Sequence, residues 1–179
     1  FDNPYDVKTG TKYITADIAM KGSDKFIVGV WDGYELIDIA ILPKSNGKDV
    51  IDTIQNFQKS YQVQNHHVCF DNDGVGSFVD GFIVGSVEFN NGSSPLPSSN
   101  SNSYDDKGKP LKESYFNLKT QMYYASGDDV LNGKFKISEK VASMMYDQKE
   151  TVQQRFMKER KAIKRDKVDH DGKLKIIPK

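Results

Sequence analysis

The chain has 179 residues, 37% of them hydrophobic and 28% charged, with 25 basic and 25 acidic side chains. That length suits one domain with a packed core, and no apolar run approaches the roughly 20 residues needed to span a bilayer. A single cysteine, Cys69, excludes an intrachain disulfide and argues against a cysteine-based zinc site.

The first residues, FDNPYDVK, lack the basic start and apolar stretch of a secretion signal. With the lone cysteine, this points to a reducing, cytoplasmic setting and no membrane role. Charge is balanced but unevenly spread. Residues 151–179 carry ten Lys/Arg and four Asp/Glu, leaving the remaining 150 residues with an excess of six acids. A basic end on an acidic body suits a polyanion partner, and it equally suits a solvated helix face.

In chain order, KYITADIA (12–19) and KFIVGVW (25–31) predict two strands, and Asp32-Gly33 a hairpin into a third, ELIDIAIL (35–42). Val50, Ile54, Phe57 and Tyr61 recur at helical spacing after the Pro43–Gly47 break. His67 to Phe70 predicts a fourth strand. Reached through a crossover helix, it is expected to lie parallel to the meander.

A short helical pattern at Ser77–Ile83 and a strand at VEF (87–89) follow. Residues 90–110 are rich in Asn, Ser, Gly and Pro and predict a mobile loop. Beyond it, 113–131 predicts a helix and FKI (135–137) a strand piece. Ser138 is expected to cap one long helix with Val141, Met145, Val152, Phe156 and Ile163 on its stripe. Asp171-Gly172 turns into a last strand, KLKII (173–177). A three-strand antiparallel meander followed by alternating helices and strands indicates an α/β sandwich around a mixed sheet.

The stretch VCFDNDGVG (68–76) ends an apolar strand on Asp71 and Asp73 beside Gly74 and Gly76. No third glycine completes a dinucleotide fingerprint, and no Gly-x-x-x-x-Gly-Lys-Ser/Thr occurs. Phe82 stands where a calcium loop starting at Asp71 needs its glutamate. The three histidines, His66, His67 and His170, form no chelating pattern, and His66-His67 reads as a strand start.

Asp17, near the end of the first strand, remains as a partner for Asp71. On neighbouring parallel strands the two would lie about 5 Å apart, a separation at which carboxylates repel unless a cation or proton intervenes. Magnesium accepts one or two such carboxylates, and a pair of ions can stabilise both the attacking and the leaving oxygen of a phosphodiester. Asp17 then suits a bridging role. The same residues also suit ordinary strand-end turns, and residue types alone leave both readings open.

Three stretches together resemble the nuclease domain of a tailed-phage terminase large subunit. ITADIAMKGSDKFIVGVW resembles its first acidic strand-turn-strand, and VCFDNDGVG its second acidic motif. YFNLKTQMY with DGKLKIIPK resembles the helix and strand leading to its third. The resemblance spans about residues 12–179 and implies an RNase H-like fold. It implies a metal-dependent endonuclease that cuts concatemeric double-stranded DNA during genome packaging in the bacterial cytoplasm.

Asp17 and Asp71 match the first two catalytic carboxylates and would hold Mg2+ or Mn2+ in a two-metal site. Asp24 and Asp73 are additional ligand candidates, and Gly74 and Gly76 would turn the backbone tightly beside the metals. Arg155, Lys158, Lys161, Lys164, Arg165, Lys173 and Lys175 would face DNA. The portal and the small terminase subunit are the implied partners. Residues 1–179 would form a single nuclease domain. An ATPase motor ahead of Phe1 and a third acidic motif after Lys179 are expected outside it. A resolvase or transposase of the same fold is the alternative enzyme, and a non-cleaving DNA-binding or assembly module the alternative outside enzymes.

Overall fold

The computed structural model describes residues 3–19, 24–73, 76–97, 115–164, 166 and 173–177. Two compact units divide the chain: residues 1–89 with 132–153, and residues 90–131 with 154–179.

The first unit is built on a six-stranded sheet. Its strands are β1 (Lys12–Asp17), β2 (Phe26–Asp32), β3 (Glu35–Leu42), β4 (Val68–Asp71), β5 (Val87–Phe89) and β6 (Lys136–Ile137), in the order β5-β4-β1-β2-β3-β6. The meander β1-β2-β3 is antiparallel, whereas β4 on β1, β5 on β4 and β6 on β3 are parallel. This is the mixed sheet expected, with the crossover before β4 giving the parallel pairing that such a connection favours.

Alternation along the strands assigns the faces. Ile14 and Ala16 of β1, Phe26, Val28 and Val30 of β2, and Val68 and Phe70 of β4 are buried. They pack in one cluster with Val50, Ile51 and Ile54 of helix α1 (Gly47–Tyr61). The helix starts at Asn46, whose Oδ1 accepts from Asp49 N at 3.0 Å. The Asp49 carboxylate in turn accepts from Asn46 N at 2.9 Å, a capping box that satisfies two otherwise orphaned donors. It ends at Gln62, in the left-handed region at φ 56°.

One irregularity shapes the sheet. Val30 pairs with Asp38 but Trp31 pairs with Leu36, so β3 carries one extra residue, Ile37, against β2. Across this bulge Leu36 and Ile39, three positions apart, line the same cavity.

Two helical expectations are corrected. Ser77–Ile83 is no helix: a 3-10 turn spans Gly76–Phe78 and turns follow, with Val79 and Ile83 buried but Phe82 exposed. Nor does one helix run on from Ser138. Helix α3 (Glu139–Ser143) stops at Met144, whose ψ of 146° is extended, and a new helix, α4 (Val152–Ala162), starts eight residues later. Local and distant bonds hold the break open. Asp147 Oδ1 accepts from the N–H groups of Lys149 and Glu150, and Lys25 Nζ donates to Tyr146 O at 2.7 Å while lying 3.8 Å from the Tyr146 ring centre.

In the second unit, helix α2 (Leu118–Leu131) covers the helical part of the expected 113–131, capped by Asn117 Oδ1 accepting from Thr120 N at 2.9 Å. The expected strand 173–177 is reduced to isolated bridges at Leu174, which pairs with Tyr115, and at Ile176. Its backbone also meets the segment after α4, through Asp166 N to Lys175 O at 2.8 Å and Ile177 N to Lys164 O at 2.9 Å. Of the loop expected at 90–110, residues 98–110 lie outside the described residues.

Candidate metal centre

Strands β1 and β4 run parallel in the register Ile14–Val68, Thr15–Cys69, Ala16–Phe70. The next step sets Asp17 beside Asp71, at the carboxyl ends of adjacent strands. Two carboxylates separated by 53 residues of chain thus meet at roughly 5 Å interstrand spacing. Alternation turns both away from the α1 face, on the side that carries Thr15 and Cys69.

Together they line the end of a cavity of about 400 Å3 whose floor is the sheet itself, formed by Thr15, Ile27, Gly29, Trp31, Leu36, Ile39, Cys69 and Phe89. The walls are mainly apolar, which keeps the local dielectric low and strengthens any charge interaction at the acidic end. Trp31 Nε1 donates to Thr15 Oγ1 at 2.9 Å and fixes the indole across the floor. Gly29 keeps this floor clear, since a Cβ there would stand 2.8 Å from Leu36 Cδ1.

The turn after Asp71 is tied down residue by residue. Asp71 Oδ1 accepts from Asp73 N at 2.9 Å, Asn72 N donates to Phe89 O at 3.0 Å, and Asn72 Nδ2 donates to Glu88 Oε2 at 2.8 Å. Asn72 Oδ1 is buried without a hydrogen-bond partner. Gly76 packs directly on this turn. A Cβ at Gly76 would lie 2.1 Å from Asp71 O, a contact that no side chain can make without moving the Asp71 backbone.

Cys69 sits between the carboxylates and the rest of the groove. Burial, reinforced by the Asp71 charge, pushes its thiol up from the usual cysteine range. The shift favours the neutral thiol over the thiolate.

The other expected residues are distributed more widely. Asp73 is exposed and bonds Asp71 through its backbone N–H. Asp24 is exposed just ahead of β2. Gly74 and Arg165 lie outside the described residues. Arg155, Lys158 and Lys161 follow one another at three-residue steps on α4; Arg155 is paired with Glu159 at 2.6 Å, while Lys158, Lys161 and Lys164 are exposed. Lys173 is half-buried, and Lys175 Nζ lies 4.7 Å from the Phe116 ring centre.

Among the described residues no group of three or more His, Cys, Asp or Glu side chains gathers as a metal cage. The donor set present is two hard carboxylates, which fits a cation that completes its shell with water and substrate oxygens. Sequence reasoning missed Thr15 and Trp31 as site residues. Period-two alternation from Asp17 reaches Thr15 directly, whereas Trp31 depends on the pairing register of β2.

No protein-family model matches the sequence, and no curated protein matches it. Solved structures do match in three dimensions. The nuclease domain of the large terminase subunit gp2 of bacterial virus Sf6 superposes with a TM-score of 0.74 at 16% identity, covering 96% of this chain and 79% of that one. A point variant of that domain with manganese and beta-thujaplicinol gives 0.77 at 15% identity, covering 97% and 79%. The large terminase nuclease from thermophilic phage G20c gives 0.54 at 14% identity, covering 93% and 71%. A six-stranded mixed sheet with this strand order and these helices therefore has the RNase H-like fold of the phage large terminase nuclease domains.

Proposed function

We propose that this chain is a metal-dependent endonuclease domain of the terminase kind, cutting double-stranded DNA during phage genome packaging. One observation carries the reading: the parallel β1–β4 pairing sets Asp17 beside Asp71, in a fold shared with nuclease domains. Residues 1–179 would serve as one nuclease domain in the host cytoplasm, with the portal and the small terminase subunit as partners. No helix among the described residues is long and apolar enough to cross a membrane.

Asp17 and Asp71 would hold Mg2+ or Mn2+, with two such ions in the site when it is fully loaded. Manganese and calcium accompany variants of the Sf6 domain. Bound there, such ions would polarise a water and the phosphate oxygens and offset charge on the leaving oxygen. The protein's own part is placement. β1 and β4 fix the two carboxylates, Gly76 lets the chain after Asp71 fold back tightly, and Asp24 and Asp73 supply further oxygens near the strand ends. Arg155, Lys158, Lys161, Lys164, Arg165, Lys173 and Lys175 would neutralise phosphates along the duplex.

Plasmid cleavage in Mg2+ or Mn2+ tests this reading, with Mn2+ binding by calorimetry as a second readout. Asp17→Asn and Asp71→Asn should each reduce cleavage at least ~100-fold and abolish tight Mn2+ binding. Cleavage and binding that survive both substitutions would remove the two carboxylates from the mechanism. A resolvase-type enzyme would instead prefer branched DNA over plasmid.

A further inference from the structure

Beyond the carboxylates the same sheet face continues into a second cavity of about 400 Å3, which shares Thr15, Trp31 and Cys69 with the first. Its walls are aromatic: Tyr13, Trp31, His66 and His67 line it, with Val87 at the edge. Among the described residues no acidic side chain lines it, although the body of the chain is acidic.

These rings are held in place before any ligand arrives. Tyr13 and His67 lie 4.6 Å apart between ring centres, His66 and His67 4.3 Å, and Trp31 is pinned by its bond to Thr15 Oγ1. Tyr13 is nonetheless 39% exposed, so part of the residue remains accessible. Tyr13 and Asp17 are four residues apart on one side of β1, about 13 Å at the rise of a strand. That is roughly four stacked nucleotides at 3.4 Å each.

We propose that this aromatic groove is a stacking subsite for an unpaired nucleobase of the DNA strand whose backbone lies at Asp17 and Asp71. The inference rests on the nuclease reading for the position of that strand, and it adds a substrate class. Bases inside a duplex already have both faces covered, so a groove of rings accepts only bases that have left the stack. Aromatic rings with no acid among the described lining residues suit a base on a phosphate backbone better than an apolar peptide. The domain is thus expected to favour DNA that is frayed or locally opened a few nucleotides from the cut.

Trp31 is the only tryptophan in the chain, so its fluorescence reports on the groove itself. The test titrates the protein, in EDTA to prevent cleavage, with an oligothymidylate of about 12 nucleotides, a length within single-strand site sizes. An abasic strand of equal length and charge and a blunt duplex serve as comparisons. Saturable quenching by oligothymidylate, and little by the abasic strand or the blunt duplex, is the expected result. Tyr13→Ala and His67→Ala should weaken binding about tenfold, while Tyr13→Phe, which keeps the ring, should retain it.

Equal quenching by the abasic strand, absence of quenching, or unchanged affinity in both alanine variants would overturn the subsite. The two proposals fail separately. Quenching without Asp17-dependent cleavage removes the nuclease and leaves the subsite. Asp17-dependent cleavage without quenching removes only the subsite.

Discussion

The two faces of one sheet do different work in this protein. On the face toward α1, Ile14, Val28, Val68 and Phe70 are almost fully excluded from solvent and packed against Val50 and Ile54. On the other, the alternate residues Thr15, Asp17, Cys69 and Asp71 line an open groove. Neighbours in sequence therefore belong to separate tasks. The period of two lets a strand contribute to the core and to the groove without compromise between them.

Phe70 and Asp71 give the sharpest contrast, being adjacent residues on opposite faces. Phe70→Ala should lower unfolding free energy by about 3–5 kcal/mol in urea melts, as for other buried phenylalanines. Asp71→Asn should leave those melts within about 0.5 kcal/mol while eliminating cleavage and Mn2+ binding. If both substitutions cost stability equally, the division of labour between faces does not hold.

Gly76 is where the faces touch. Gly76→Ala forces the Asp71 backbone to move, with a cost of about 1–3 kcal/mol and a loss of metal affinity that a purely structural glycine would not produce. Asn46→Ala, far from the groove at the start of α1, should cost about 1 kcal/mol of stability and leave metal binding unaltered.

The smallest effect concerns pH. On the α1 side the Tyr61 hydroxyl donates to the Asp38 carboxylate, which Lys140 also approaches at 3.1 Å. Burial and then the Asp38 bond push the Tyr61 phenol up to about 12. Burial opposes ionisation of Asp38, but the bonds from Tyr61, Lys140 and Ile39 N–H outweigh it, so its carboxyl lies below the usual range. A raised phenol stabilises the fold fully below about pH 10 and loses that contribution between about pH 10 and 12. The Asp38 contribution is present above about pH 4 and fades on further acidification. Melting temperature followed against pH should show the alkaline decline in the wild type and a flatter limb in Tyr61→Phe.

Much of this was legible in the residues. The meander, α1 and the crossover to β4 announce themselves by alternation, by helical spacing and by the Asn46 cap. Asp17 and Asp71 follow once their strands are recognised as parallel neighbours. The groove wall was less visible, because Trp31 reaches the Asp17 side only through strand pairing, which single-strand patterns do not encode. The 138–163 stretch misled for a related reason. Its apolar spacing is helical throughout, yet Lys25, more than a hundred residues earlier, binds Tyr146 and holds the chain out of helix. Tertiary contacts outweigh a propensity worth only tenths of a kcal/mol per residue.

The extra residue in β3 has a consequence for how this sheet tolerates change. Ile37 acts as a phase marker: residues before it and after it follow opposite parity, so Leu36 and Ile39 share the groove while Asp38 faces Tyr61. Deleting Ile37 would remove the mismatch and leave both halves of the strand facing as they do, with Leu36 opposite Trp31 and Ile39 opposite Gly29. Asp38 would stay opposite Val30 on the α1 side, and the strand would lose only the local bend and twist of the bulge. A single missing codon at this point would straighten the strand yet keep the side chains of the cavity wall on their own face, whereas the loss of a paired neighbour would not.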